Sequence, residues 1–316
     1  MQIPSKLIKN NDMQIDILLP VYNGESYLAD QLDSIINQTN KNWRLLVRDD
    51  GSTDNSSKIL HQYARKYPKK IVFIQDDIGN VGTKECLNIL SAHVDAEIFS
   101  FCDQDDVWHP EKISISLNAL NKINQNNMPL LVYCDMAVTD KNLNITNKSF
   151  WEMHKLTDYA LSLKGLPIIN SIAGCTMLGN RDLLEAAFPI PYCAPMHDIW
   201  VAFVAKNSGQ AMAIDSQLIY YRQHESNQLG AGSKIILPLR LIHVLKNINA
   251  YFQRGEVLRN QRVGMIEELL KRKISSLRYR DCIDMLESER GGMLKKIIYL
   301  IRNRISLLRT FIYWIT

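Results

Sequence analysis

The 316-residue sequence has no Cys-x-x-Cys pair and no zinc-type spacing among its six cysteines, Cys86, Cys102, Cys134, Cys175, Cys193 and Cys282. Scattered thiols argue against a disulfide scaffold and fit a reduced, cytosolic compartment. There is no run of about 18 uncharged apolar residues, so a spanning helix is not expected. The polar, Asn- and Lys-containing stretch Met1–Gln14 lacks the apolar core of a secretory signal. Internal repeats and low-complexity tracts are also missing, which excludes solenoids and disordered linkers as the main architecture. What is present is a 46% hydrophobic composition, enough for a sizeable core in one large or two modest domains.

Charge is unevenly placed. The net charge is +4, yet residues 233–316 hold 17 Lys/Arg against 7 Asp/Glu, while residues 1–232 hold 20 against 26. The split suggests two parts, 13–232 and a basic extension, 233–316, suited to an anionic surface.

The first part alternates strand-like and helix-like segments. Strands are expected at Ile15–Pro20, Trp43–Val47, Ile71–Ile74, Ile98–Cys102 and Leu130–Cys134. Helices are expected at Tyr27–Ile36, Asp54–Tyr67, Gly82–Ala92 and Glu111–Ile123. Alternation of this kind implies an α/β domain with a mostly parallel sheet, in which ligands bind beyond the carboxyl ends of the strands. Polar motifs fall at those ends: Tyr22-Asn23-Gly24, Asp49-Asp50-Gly51-Ser52 and Asp103-Gln104-Asp105-Asp106. Farther on, Ala173–Leu178 reads as a small-residue strand, Asp198–Lys206 as a helix, and residues 235–315 as mostly helical.

Three carboxylates in four positions repel one another and call for a cation or hydrogen bonds. Mg²⁺ or Mn²⁺ bridging protein carboxylates to a diphosphate would answer that need, as would a solvated acidic turn. Asp50, at a strand end, can accept from a nucleobase N–H or form an Asp/Ser turn. Gly82 can let backbone approach a phosphate or simply open a helix.

Taken together, Ile17-Leu18-Leu19-Pro20-Val21-Tyr22-Asn23-Gly24, Asp49-Asp50-Gly51-Ser52-Thr53-Asp54, Asn80-Val81-Gly82 with Asn88, and Asp103-Gln104-Asp105-Asp106 resemble family 2 glycosyltransferases of the GT-A fold, over about residues 13–230. Asp-Gln-Asp-Asp-Val-Trp, His197-Asp198-Ile199-Trp200 and Tyr221-Arg222-Gln223-His224-Glu225-Ser226-Asn227 look most like rhamnosyltransferases of bacterial surface-polysaccharide assembly. The resemblance implies a Rossmann-like sheet flanked by helices and a nucleotide-sugar donor, with dTDP-L-rhamnose preferred over a UDP-hexose or UDP-N-acetylhexosamine. It implies a saccharide acceptor, lipid-linked, and a divalent metal cofactor, Mn²⁺ or Mg²⁺. Pro20, Tyr22, Asn23, Asp50, Gly82, Asn88, Asp103, Gln104 and His224 would face the donor. Asp105, with Asp103 and His224, would hold the metal, and Asp198 would be the catalytic base of an inverting displacement. Trp200, Asp106 and Gly174 are acceptor-side candidates, with Trp200 equally suited to the core. A non-catalytic nucleotide-sugar-binding subunit is the reading from another class, and no nucleic acid is expected. The amphipathic, basic Leu294–Ile315 would rest on an anionic membrane or pack on the catalytic domain, placing the protein at the inner face of the cell membrane.

Overall fold

The computed structural model describes residues 13–123, 128–156, 172–225 and 248–272, together with Glu287 and Arg290. The chain opens with strictly alternating elements: β1 (Ile15–Val21), α1 (Leu28–Ile36), β2 (Trp43–Asp49), α2 (Ser56–Lys66), β3 (Ile71–Ile74), α3 (Thr83–Ser91) and β4 (Ile98–Phe101). It continues through β5 (Val107–Trp108), α4 (Lys112–Lys122), β6 (Leu130–Thr139), β7 (Ile145–Asn147), α5 (Phe150–Met153) and a 3₁₀ turn at Gly174–Thr176. Then follow β8 (Leu178–Asn180), α6 (Arg181–Ala187), α7 (His197–Ser208), β9 (Gln210–Arg222) and α8 (Ile248–Lys271).

Among the described residues, nine strands join one sheet in the order β3-β2-β1-β4-β8-β6-β9-β5, with β7 added to β6. The first four are parallel. Beyond β4 the sheet is mixed: β8 runs antiparallel to β4 and β6, β5 antiparallel to β9, and β6 parallel to β9. Strands buried on both faces carry near-continuous apolar runs, and β1 does so with Ile-Asp-Ile-Leu-Leu-Pro-Val. Its buried exception, Asp16, is paired with Arg44 at 2.7 Å and accepts from the Asp95 and Ala96 amides.

The period-2 pleat sends alternate residues to opposite layers. Leu18, Leu46, Phe99 and Phe101 face one core with α3, α6, α7 and α8. Ile17, Leu19, Leu45, Val47 and Ile98 face the other with α1, α2 and α4. Helix α8 belongs to the basic extension, and its Met265, Ile266 and Leu269 are buried in the first of these cores. Arg272 fastens its end by donating to the carbonyls of Ala186, Ala187 and Pro189 at 3.2, 3.0 and 2.6 Å. The segment Leu294–Ile315 and the 232/233 boundary lie outside the described residues.

The expected strand over Ala173–Leu178 is corrected. Its first half is a 3₁₀ turn, closed by Thr176, whose hydroxyl and amide both bond the Ala173 carbonyl at 2.6 and 3.1 Å. This local bonding removes those groups from a strand ladder.

Candidate active site

The acidic loop begins where β4 ends, with Cys102 still donating to the Leu18 carbonyl at 3.0 Å. Gln104 ties it to the loop after β1: its Oε1 accepts from the Tyr22 amide at 2.9 Å and its Nε2 donates to the Tyr22 carbonyl at 3.0 Å. Asp106 is completely buried; its Oδ1 accepts from the Arg222 amide at 3.2 Å, and its Oδ2 has no hydrogen-bond partner. Asp105 Oδ2 lies 3.0 Å from His224 Nε2. His224 is held against the Tyr27 ring, centroids 4.5 Å apart, and the Arg222 guanidinium covers the same ring at 4.5 Å while pairing with Asp30 at 2.8 Å. The end of β9 is thereby laid over the acidic loop.

The electrostatics are those of crowded, desolvated carboxylates. Burial, then the charge of Asp105, and further the charge of Asp198 push the Asp103 carboxyl up to about 7. Burial, then Asp105 and Asp103, hold Asp106 well above the usual carboxylate range. Asp198 stands in the first turn of α7, where the helix dipole favours an anion. It is 7% exposed, and its Oδ1 accepts from the Ile199 amide at 2.7 Å. His197, beside it in that turn, lies against Phe101 at the end of β4, so α7 brings a fourth carboxylate up to the acidic loop.

The loops after β1 and β2 hold most of the remaining donor-side candidates. Asp50 accepts from the amides of Val81 and Gly82 at 3.0 and 2.8 Å and is ion-paired with buried Arg48. Arg48 also grips Asp76 at 2.7 Å and the Gly79 carbonyl at 2.9 Å. Asp50 therefore anchors the loop that leads into α3, where Gly82 takes a φ of +81° that only glycine adopts readily. Asn23 bonds the Ser52–Thr53 turn in both directions, at 2.9 and 2.8 Å. Asn88 pins Ile190, accepting from its amide at 2.7 Å. Asn23, Asp50, Asn88 and Gln104 thus serve as framework, a task their motifs did not announce. Pro20 is half-buried, and Tyr22 is 47% exposed with its ring open to a ligand.

Three acceptor-side expectations are corrected. Asp106 is completely buried with its Oδ1 on the Arg222 amide, so it meets no acceptor. Trp200 is completely buried, donates its indole N–H to the Ala187 carbonyl at 2.6 Å, and lies under the Arg272 guanidinium, so it offers no face to a sugar. Gly174 is buried against His197: a Cβ there would stand 2.1 Å from His197 Nε2. His197 itself lies edge-on to Phe101 at 5.0 Å with neither ring nitrogen hydrogen-bonded, and burial lowers its pKa, keeping it neutral.

Sequence reasoning did not single out Arg48, Tyr27 or Asp30. An arginine extending an apolar strand was the available signal for Arg48. Tyr27 and Asp30 carried none, since their partners Arg222 and His224 lie far along the chain.

The residues fit a divalent cation. Asp105 Oδ2 and His224 Nε2, hydrogen-bonded to each other at 3.0 Å, are an oxygen and an imidazole donor of the kinds divalent ions take. Asp103, Asp106 and Cys175 also place one ligand atom each within 4.8 Å of one another.

Comparisons with known proteins agree with this architecture. The family model described as Glycosyl transferase family 2 matches residues 16–188. An uncharacterized glycosyltransferase of Rickettsia typhi is 32% identical over 168 residues, 52% of this chain and 49% of that protein. The chain spans about half the length of such curated relatives. The dTDP-rhamnosyl transferase RfbG of Shigella flexneri is 26% identical over 246 residues, 72% of this chain and 79% of its own. Among solved structures, S. aureus TarS 1–349 in complex with UDP-GlcNAc has a TM-score of 0.55 at 14% identity, covering 96% of this chain and 90% of that one. The mannosyltransferase PcManGT of Pyrobaculum calidifontis, in complex with GDP-Man and Mn²⁺, has a TM-score of 0.53 at 14% identity, covering 95% and 85%. These likenesses identify the fold as GT-A. With the family model matching over half the chain, this protein belongs to glycosyl transferase family 2.

Proposed function

We propose that this chain transfers a sugar from a nucleoside diphosphate to a saccharide hydroxyl, with inversion at the anomeric carbon. The donor of first choice is dTDP-L-rhamnose. The acceptor is a lipid-linked saccharide of O-antigen or capsule type, met at the inner face of the cell membrane. One observation carries the reading: the first turn of α7, which bears Asp198, packs against the end of β4 that leads into the acidic loop, with His197 edge-on to Phe101 at 5.0 Å. A binding subunit would need the acidic loop but not Asp198.

In this reading the exposed Tyr22 ring packs on the nucleoside, and Asp103 meets the ribose. Asp105 and His224 hold a divalent cation, which, when bound, offsets the negative charge growing on the departing diphosphate. Asp198 accepts the proton of the attacking hydroxyl, assistance worth about 10²–10⁴-fold. A single displacement then inverts the anomeric centre. The match to RfbG over most of both chains supports the choice of rhamnose, and the basic extension supports a place beside anionic lipid.

The test is a donor panel. Purified protein with Mn²⁺ or Mg²⁺ is given dTDP-L-rhamnose, UDP-glucose, UDP-galactose and UDP-N-acetylhexosamines, and release of nucleoside diphosphate is followed. Release from dTDP-L-rhamnose above the others is expected. Preference for a UDP-sugar would replace the donor, and binding of donors with release from none would return the chain to the reading of a non-catalytic nucleotide-sugar-binding subunit.

A further inference from the structure

The acidic loop has an inner side that donor chemistry does not use. Cys175, in the turn before β8, is completely buried. Its Sγ and one carboxylate oxygen each from Asp103 and Asp106 lie within 4.8 Å of one another. Asp106 Oδ2 is buried with no N–H or O–H donor, the Arg222 amide and the weakly donating Cys175 thiol being the partners of that carboxyl. A buried polar atom of that kind calls for an ion or an ordered water. The nearest recorded contact of the thiol outside this group is Met136 Sδ, at 3.8 Å, another soft sulfur.

A set of one thiol and two carboxylates is unlike the oxygen shell that Mg²⁺ requires, and it suits zinc or cadmium. Bonds of about 2.3 Å to sulfur and 2.0–2.2 Å to oxygen put tetrahedral ligands roughly 3.5 Å apart. Asp105 and His224 are not in this set, whereas Asp103 is in it and also faces the donor in the reading above.

We propose that Asp103, Asp106 and Cys175 form a second cation site, for thiophilic divalent ions, whose occupancy withholds Asp103 from the donor and so inhibits transfer. On binding, the Cys175 S–H bond breaks, its proton passes to solvent, and the thiolate forms the metal–sulfur bond. Asp103 and Asp106 supply oxygen ligands, and water completes the shell. The inhibitory half of this proposal rests on the donor-site reading above; the site itself does not.

The experiment is titration of the full chain with Cd²⁺, without Mg²⁺ or Mn²⁺, following the ultraviolet thiolate-to-cadmium charge-transfer absorption. The wild type should saturate at one ion. Cys175→Ser should lose the absorption, Asp106→Asn should bind at least tenfold more weakly, and Cys193→Ser should match the wild type. No absorption in the wild type, or absorption that survives Cys175→Ser, overturns the site. Should Cys175→Ser fail to fold, Asp106→Asn carries the same decision. In the donor assay with Mn²⁺, Zn²⁺ should inhibit the wild type at least tenfold more strongly than Cys175→Ser, and equal inhibition would overturn the regulatory role. Cadmium absorption without any transfer would sink the donor reading alone, and transfer without absorption would sink the cation site alone.

Discussion

The parallel half of the sheet, β1 to β4, and the mixed half beyond it divide the work. In the first, polar motif residues mostly hold loops to one another: Asn23 to Ser52 and Thr53, Glu25 to Asn55, Asp50 to Val81 and Gly82, Gln104 to Tyr22. The second holds the side chains to which the proposed reaction assigns chemistry. Asp198 stands in the first turn of a helix whose His197 packs on Phe101 without a hydrogen bond, and His224 closes on Asp105. The lesson is that a polar residue in a motif is as often the frame of a site as its working group. Damage to the frame should appear in binding, and damage to the working groups in turnover.

The largest effect should follow Asp198→Asn, which keeps the shape but removes the proposed base. Transfer should fall by about 10²–10⁴-fold in single-turnover assays; a loss under tenfold would move the base elsewhere. Next is Gly174→Ala. Its Cβ would stand 2.1 Å from His197 Nε2 and push on the first turn of α7. Overpacking of this kind costs about 1–3 kcal/mol, seen as a lower melting temperature together with slower turnover. Adding His197→Ala should restore part of both, and no restoration would separate Gly174 from α7.

A smaller effect, confined to binding, is expected for Asp50→Asn. One loop amide loses its acceptor, and nucleotide affinity should fall about tenfold, or about 1.4 kcal/mol, with the rate of bound donor unchanged. A change in that rate instead would erase the division between the halves.

The pH response sharpens the contrast further. Asp103 rises from 3.8 to about 7 on folding. Its contribution is therefore fully present below the unfolded value and is lost as pH rises toward 7. Cation-free wild type should lose melting temperature relative to Asp103→Asn between pH 4 and 7, and Mn²⁺ should restore it above pH 7. A difference independent of pH would contradict the crowding of these carboxylates. The smallest effect belongs to Asn88→Ala, which frees the Ile190 amide and should cost about 1 kcal/mol of stability with donor affinity retained.

The parallel half was legible in the sequence for a physical reason. Strands buried on both faces are continuous apolar runs, and the helices between them carry one apolar stripe, so β1 to β4 and α1 to α4 stand within two residues of expectation. The mixed half offers no such signal. Ala-Gly-Cys-Thr satisfies a strand pattern, yet Thr176 folds it into a turn by bonding Ala173. The alternating polarity of β9 was diluted by the small residues Ala211 and Ala213 and by register shifts against β6 near Asp135. Trp200 was ambiguous because its burial is completed by Arg272, from a helix far along the chain. The acidic cluster was readable as a charge problem. That Asp106 turns inward to Cys175 while Asp105 meets His224 was not, since both partners arrive through tertiary structure.

The most direct measurement compares two single carboxylate changes in one binding experiment. Calorimetric affinity for dTDP with Mn²⁺ is determined for Asp105→Asn and Asp198→Asn beside the wild type. Asp105→Asn should lose at least tenfold in affinity together with the Mn²⁺ dependence, while Asp198→Asn should stay within about twofold of wild type. Equal losses in both variants, or a loss with Asp198→Asn alone, would contradict a donor held by the loop after β4 and a base supplied by α7.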